Sequence, residues 1–455
     1  MTKFVRRMLA FPDPHKNRRR LYTLLALIVT LIPVALVLYA RFGGPSPRER
    51  LAEYTASLRV RGYVASPRDF VQVGVPDEEN AAVLLPKAVA LSKPGPKLSW
   101  EDVIENPRAL SPDQRLEVRK ALEEDTPFFE ALERVSECPY FTFEQQDFER
   151  PVYEWKVPKV TGVASRFRYL FASASVLAVD GEPEKAADLW CLGLRSSRHL
   201  LETPCVLLTF MLGMVVRGDA LQSMDHVFKG RQTGSKILKA GIDLLQAGNW
   251  RESLIQSLHW ERSNHLEVLA RCLEDIPTGT LSSIGYPMDW ITRFKLRIAL
   301  MRPGVLVSEM IAMQEVDIRY IEIQNGKTST WLPRAESIYS ELGERKFPLL
   351  QRLGFQAIAG SLKVIAEDLL ELETKTEVAR VALACKAFRN DCGEWPETLI
   401  ELAPAYIDPL PEDPYTNQPL LYRKEAEGFT VYGVGPDRSD DGADEKRDVV
   451  WREGS

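Results

Sequence analysis

Histidine and cysteine are scarce in this 455-residue chain, five and six residues respectively, and their placement removes most of the chemistry a sequence can announce. His199, His226, His259 and His265 form no HExxH pair. His259 and His265, six positions apart, would point nearly opposite ways round a helix, so no helical zinc site is indicated. Cys138, Cys191, Cys205, Cys272, Cys385 and Cys392 contain no CxxC spacing and are too scattered for a disulfide framework. On one helix, Cys385 and Cys392 would stand about 10 Å apart, beyond bridging reach. GxSxG, the P-loop and GxGxxG are missing, and "GVG" at Gly433 to Gly435 is too short to count. No catalytic residue is therefore assigned.

Positive charge is also in short supply beyond the first twenty residues. The leader holds seven bases (Lys3, Arg6, Arg7, Lys16, Arg18, Arg19, Arg20) against Asp13; removing these from 58 and 64 leaves 51 bases facing 63 acids, about −12. Nucleic-acid binding rests on phosphate neutralisation by clustered Lys and Arg, so no nucleic-acid partner is expected.

Charge is wholly absent from Leu21 to Ala40, "LYTLLALIVTLIPVALVLYA". About twenty such residues match the ~30 Å hydrocarbon core of a bilayer, and Pro33 is tolerable inside a span. With the basic leader held in the cytoplasm, the segment reads as a signal anchor of bacterial type, its bulk outside the cytoplasmic (inner) membrane in a periplasmic space. A cleaved signal peptide is the competing reading, but it wants a small residue three positions before cleavage, where Leu38 stands if the cut follows Ala40. The expected division is a leader over 1–20, an anchor over 21–40, a linker and entry segment over 41–75, an α-helical domain over 76–375 and a small α+β domain over 376–455.

Helical spacing of apolar residues dominates from about residue 75 to 375. Asp77 precedes "EENAAVLLPKAVALS"; Ser111-Pro112 opens "DQRLEVRKALEE"; Asn249 and Glu252 have capping-box spacing. "FRYLFASASVLAVDGEPEKAADLWCLGLRSSRHLLE" places Ala172, Ala174 and Ala187 where two helices would cross, joined by Asp180-Gly181-Glu182-Pro183. "GEPEKAADLWCLGL" resembles the turn and second helix of a tetratricopeptide repeat, with "VLLTFMLGMVVRGDALQSMDHVF" as a following helix. A repeat-like irregular solenoid and a bespoke helical bundle are both open at this point. The Met and aromatic residues of "YPMDWITRFKLRIALMRPGVLVSEMIAM" read as core.

After Thr376 a helix through "EVARVALACKAFRND" should end near Gly393, because Trp395-Pro396 forbids its continuation. "LLYRK", "FTVYGVG" and "DVVWR" are three short β-prone runs, the first two joined through "EAEG" as a hairpin. The fold class expected is mainly α, ending in one helix packed on a small three-stranded antiparallel sheet.

The order "G-x-W-P-E-T-L", "D-P-Y-T-N-Q-P-L-x-Y", "F-T-V-Y-G-V-G-P-D" and "D-V-V" is similar to the globular domain of the major pseudopilin of type II secretion systems. The resemblance covers roughly residues 376 to 451. It implies a calcium site in the acidic loop before the last strand, with Asp437 and Asp448 as ligands and a main-chain carbonyl near Val434 as another. Leu21 to Ala40 lacks the Gly-Phe start and the Glu of a pseudopilin helix, so the domain and its cation transfer rather than the polymerising role.

Spacing speaks independently of the family. With Asp437 as position 1 of "DRSDDGADEKRD", side-chain oxygens fall at 1 (Asp437), 3 (Ser439), 5 (Asp441), 9 (Glu445) and 12 (Asp448), with Gly442 at 6, the register of an EF-hand loop with Asp for the final Glu. A solvated polar tail is the other reading of the same residues. Two function classes follow: an envelope scaffold that binds protein partners through its helical domain, beside a secretion or pilus-like apparatus, or a membrane-anchored enzyme whose site is assembled from distant residues. The location is checked by reporters fused after Ser455: alkaline phosphatase should be active there and green fluorescent protein dark, and the reverse pattern would place the bulk in the cytoplasm.

Overall fold

The computed structural model describes residues 45–70, 74–93, 95–142, 161–203, 206–246, 248, 250–275, 302–324, 337–338 and 358–454. Among these residues no helix is long and apolar enough to cross a membrane. The leader, the span Leu21 to Ala40 and Asn249 lie outside the described residues.

The chain enters through α1 (Pro47–Val60), inside the stretch read as linker. Ser46 caps it and Glu49 answers in a reciprocal capping box, with Pro47 at the first helical position. There follow α2 (Ala81–Leu91), α3 (Trp100–Glu105), α4 (Pro112–Glu124) and α5 (Thr126–Glu137). Ser111 and Gln114 form the capping box of α4, as the Ser-Pro start suggests. Then come α6 (Thr161–Val179), α7 (Pro183–Ser197), the short α8 (His199–Glu202), α9 (Leu207–Val227), α10 (Ser235–Leu245), α11 (Trp250–Asp275), α12 (Pro303–Gln324) and α13 (Ile358–Cys392).

The α6–α7 hairpin is the centre of the helical body. Gly181 turns it at φ 89°, and the Asp180 carboxylate accepts from Arg115 and Arg119 of α4 at 3.1 and 3.3 Å. Ala172, Ala174 and Ala187 are fully buried at the crossing. A Cβ on Gly193 would lie 2.7 Å from the side chains of Leu170 and Phe171, so the helices meet across a glycine. α9 packs on both, and Trp190 Nε1 of α7 donates to Ala220 O of α9 at 2.8 Å. A second, smaller core gathers α1, α11 and α12 around Leu58, Leu269, Val307, Met310 and Met313. Arg262 is fully buried beside it, donating to Gln314 Oε1 at 3.0 Å and to Val64 O.

α13 runs 35 residues without a break, straight through the boundary expected at 375/376. It packs on α9 and α10 and then on the sheet, so the main core is continuous from Ala81 to Trp451. Gly393, at φ 84°, ends it where the sequence expects. Cys385 and Cys392 both lie on it as free thiols, as are Cys138 and Cys191.

The sheet has the order β1 (Leu421–Lys424), β2 (Phe429–Gly433) and β3 (Val449–Glu453), antiparallel throughout, with Val431 opposite both Tyr422 and Trp451. β2 is buried along its whole length. It passes so close over α13 that a Cβ on Gly433 would come 2.7 Å from Thr374 Cγ2. β3 is locked to α13 by an ion pair, Lys386 Nζ to Glu453 Oε1 at 2.6 Å, with side chains only 7% and 5% exposed. Gly230 N also donates to Glu453 Oε1 at 2.8 Å.

Removing one partner of a buried ion pair leaves an uncompensated charge, whereas removing both costs far less. Lys386→Ala should therefore destabilise the fold by about 3 kcal/mol or more, and Lys386→Met combined with Glu453→Leu should recover most of the loss in urea unfolding. Equal destabilisation by the single and double variants would show that the pair contributes packing alone.

Candidate metal centre

The acidic segment, residues 434–448, forms the connection between β2 and β3. Its entrance is fixed by Asp413, whose Oδ2 accepts from Val434 N and Oδ1 from Tyr415 N, each at 2.8 Å. This carboxylate is only 3% exposed and ties the "DPYTNQP" turn to the start of the loop.

Inside the loop, short polar side chains bend the backbone locally. Asp437 Oδ1 accepts from Ser439 N at 3.0 Å, and Asp440 Oδ1 accepts from Gly442 N at 2.9 Å and from the Tyr432 hydroxyl at 3.0 Å. Such Asx turns compete with longer-range arrangements of the same side chains. Gly442 and Ala443 are both left-handed, φ 74° and 66°. For Ala443 that conformation carries steric strain, and it is held from both sides. Its N–H donates to Asp448 Oδ2 at 2.8 Å and its carbonyl accepts from Arg452 at 2.6 Å.

The structure thus divides the candidate ligands. Asp441 and Asp448 face the inside of the loop, and Asp448 is 5% exposed. Asp448 Oδ2 accepts from the N–H groups of Ala443 and Asp444, the backbone N–H of Asp441 also favours the charged carboxylate, and Oδ1 is buried without a hydrogen bond of ordinary geometry. Asp441 Oδ1 accepts from the Arg447 guanidinium at 3.0 Å, and its Oδ2 is buried with no hydrogen-bond partner. Asp437 and Ser439 are exposed, and Glu445 reaches out to Arg452 at 3.3 Å. Val434 is buried at the entrance. Spacing in an EF-hand register did not anticipate Asp413, Arg447 or Arg452, because it counts positions along one loop and these act across it.

Burial raises the Asp448 carboxyl above the usual carboxylate range, and the charge on Asp441 adds to the shift. Burial also raises Asp413, and the neighbouring Asp448 pushes it further the same way. A buried carboxylate whose ionisation burial opposes, with unpartnered oxygens on Asp448 and Asp441, fits a hard cation, which takes oxygen ligands from carboxylates and main-chain carbonyls together. Side chains do not complete the set: among the described residues no three His, Cys, Asp or Glu side chains converge on a metal position. Arg447 supplies part of the counter-charge from within the loop.

The histidines act elsewhere. His199 Nε2 lies 2.9 Å from Cys138 O and His226 Nε2 lies 3.2 Å from Glu105 O, both between helices. Burial pushes His259 and His265 down to about 4 and raises Glu261, on the same helix, to about 7. None of these three lines the cavities along α9 and α13. Comparison with protein-family models, with curated proteins and with solved structures finds no match to this chain.

The raised carboxyl on Asp448 has a definite pH signature. Its contribution to stability is complete below the unfolded carboxylate range and is lost as pH rises through the higher folded value. In chelator, wild type should therefore lose stability relative to Asp448→Asn as pH rises from the unfolded carboxylate range, about pH 4, upward. A difference between the two that stays flat over this range in urea unfolding would show that Asp448 does not titrate in a buried setting.

Proposed function

We propose that this chain is a non-enzymatic, membrane-anchored scaffold of the bacterial cell envelope, its bulk outside the cytoplasm, with a structural calcium ion closing its C-terminal domain. The observation that carries the calcium reading is Asp448: nine-tenths buried, its Oδ2 held by the N–H groups of Ala443 and Asp444, with the Asp441 N–H also favouring the charged form and Oδ1 buried without a hydrogen bond of ordinary geometry. Asp448 and Asp441 would hold the ion, with main-chain carbonyls of the loop, Val434 among them, completing the oxygen set. The ion supplies positive charge and nothing else. No step of a reaction passes through it.

The helical region supports the interaction role. α6, α7 and α9 stack around a small-residue crossing, in keeping with a tetratricopeptide-like unit, and the pairing of such a body with a pseudopilin-like domain suits a station beside a secretion or pilus-like apparatus. The basic leader and the apolar span supply the anchor.

A ligand that binds only the folded state stabilises it by RT ln(1 + [L]/Kd), about 2.7 kcal/mol at a hundredfold excess. Because the core runs unbroken from the helices into the sheet, the full chain in detergent is the species to melt. Millimolar calcium should raise the melting temperature above that in chelator, and Asp448→Ala should abolish the rise. Coincident curves for wild type at millimolar calcium would return the loop to the status of a solvated connection.

A further inference from the structure

Among the described residues β3 is an edge strand, since the sheet order places only β2 beside it. The hairpin fixes which of its backbone groups are spent. Glu425 N donates to Gly428 O at 2.9 Å, so this is a hydrogen-bonded pair, and antiparallel pairs alternate from there. Thr430 and Tyr432 then bond to β1, and Phe429, Val431 and Gly433 bond to Glu453, Trp451 and Val449 of β3. Val450 and Arg452 are left with their N–H and C=O directed away from the sheet.

Val450 does not face open solvent. It lines a cavity of about 600 Å³ together with Gly218 and Gln222 of α9 and Asp368 and Glu371 of α13. A second cavity of about 460 Å³ shares Asp368 and Leu372 with it and continues along the same two helices. Its walls are apolar, and Leu208, Met211 and Val215 stand 55%, 41% and 45% exposed there. From Leu208 to Asp225 the groove follows α9 for about 26 Å, the length of roughly eight residues of extended chain.

The charge in the groove has one sign to spare. Lys375 is its one base among the described residues and is already paired to Glu371 at 2.6 Å. Asp225 has Lys229 at 3.9 Å, while Asp368 has no ion-pair partner among the described residues. Burial and the charge of Glu371 oppose the ionisation of Asp368 more than nearby Lys375 favours it, a condition that an incoming cation relieves further.

We propose that this groove docks a short extended peptide of alternating basic and apolar residues from another protein, its backbone pairing with Val450 as an added strand, a basic side chain meeting Asp368 and apolar side chains filling the Leu208–Val215 end. The proposal rests on the interaction role above, for which it names the class of partner. Acid and apolar surface at one unpaired strand edge select that class: an acidic peptide would be repelled, and a helix would leave the edge amides unmet.

The test uses the full chain in neutral detergent and three labelled eight-residue probes, followed by fluorescence polarisation. The first alternates Lys with Leu and Val; the second replaces every Lys by Glu; the third is the first with alternate amides N-methylated, which keeps charge and side chains but removes the strand's donors. The basic probe should bind saturably, the N-methylated probe at least about tenfold more weakly and the acidic probe not at all. Asp368→Asn and Val215→Glu, both at solvent-accessible positions, should each weaken the basic probe by about fivefold or more. Equal affinity for the methylated probe, or for both variants, would overturn the proposal. So would a concentration-dependent dimer in size exclusion that the probe cannot dissociate, because a second copy would then hold the groove. Melting the same chain with millimolar calcium and with chelator separates the two readings: coincident melting curves with probe binding retained reject the cation alone, and a calcium-dependent rise in melting temperature without probe binding rejects the groove alone.

Discussion

The ion pair between Lys386 and Glu453 sets the terms on which the end of the chain folds. A lysine with 7% of its side chain exposed, on a helix otherwise sunk in the core, is tolerated because the last strand brings a carboxylate to within 2.6 Å of it. That carboxylate arrives only if β3 pairs with β2 in one register, Glu453 opposite Phe429. A slip by one residue would turn Glu453 to the other face and leave Lys386 buried and alone. The pair thus acts as a register device, and everything that brings β3 home, the acidic loop above all, serves it.

The same geometry explains why the loop is crowded with acids yet closes. Fifteen residues between Gly433 and Val449 leave little room, and the Asx turns at Asp437 and Asp440 shape the backbone before any long-range contact is made. Asp448 then pins the left-handed Ala443, and Arg452 on β3 holds Ala443 from the other side while neutralising Glu445. The charge excess that remains sits on Asp441 and Asp448, where burial is deepest. A cation at that point would compete with Arg447 for Asp441. Since Arg447 is largely exposed, its pairing is worth little and would be displaced at small cost.

Much of this was legible in the sequence wherever a local rule decides the structure. The cap at Ser111, the Gly181 turn, the end of α13 at Gly393 and the "EAEG" hairpin all follow from residues acting within a few positions of themselves; Asp77, expected ahead of α2, opens a separate single turn instead, and Asn80 caps the helix through its side chain to Ala82 N. Two features escaped because a stronger signal masked them. The Gly/Pro/Ser run before α1 reads as linker, yet its Ser46 and Glu49 make a capping box. The change of texture at Thr376 reads as a domain boundary, yet it falls inside α13, because a helix may carry one face to a helical body and the next turns to a sheet. The candidate metal site was legible only in part. Asp441 and Asp448 follow from counting, but Asp413 enters from a turn over twenty residues upstream, and no periodicity announces a contact of that kind.

Edge strand, loop and ion pair share one structural unit, and that has a thermodynamic consequence. β3 presents Val450 to the groove only while the loop behind it is closed and Glu453 is seated on Lys386. Each of these binds or orders the same five residues, so stabilising any one narrows the fluctuations of the others. An ion in the loop, acting on Asp448 next to Val449, would therefore order the strand edge as well as the loop. The effect is reciprocal: a peptide that adds to β3 would tighten the cation site by the same factor that the cation tightens the peptide. How large that factor becomes depends on how often β3 is open without either ligand, and the buried Lys386–Glu453 pair, by holding the strand in register already, keeps it small.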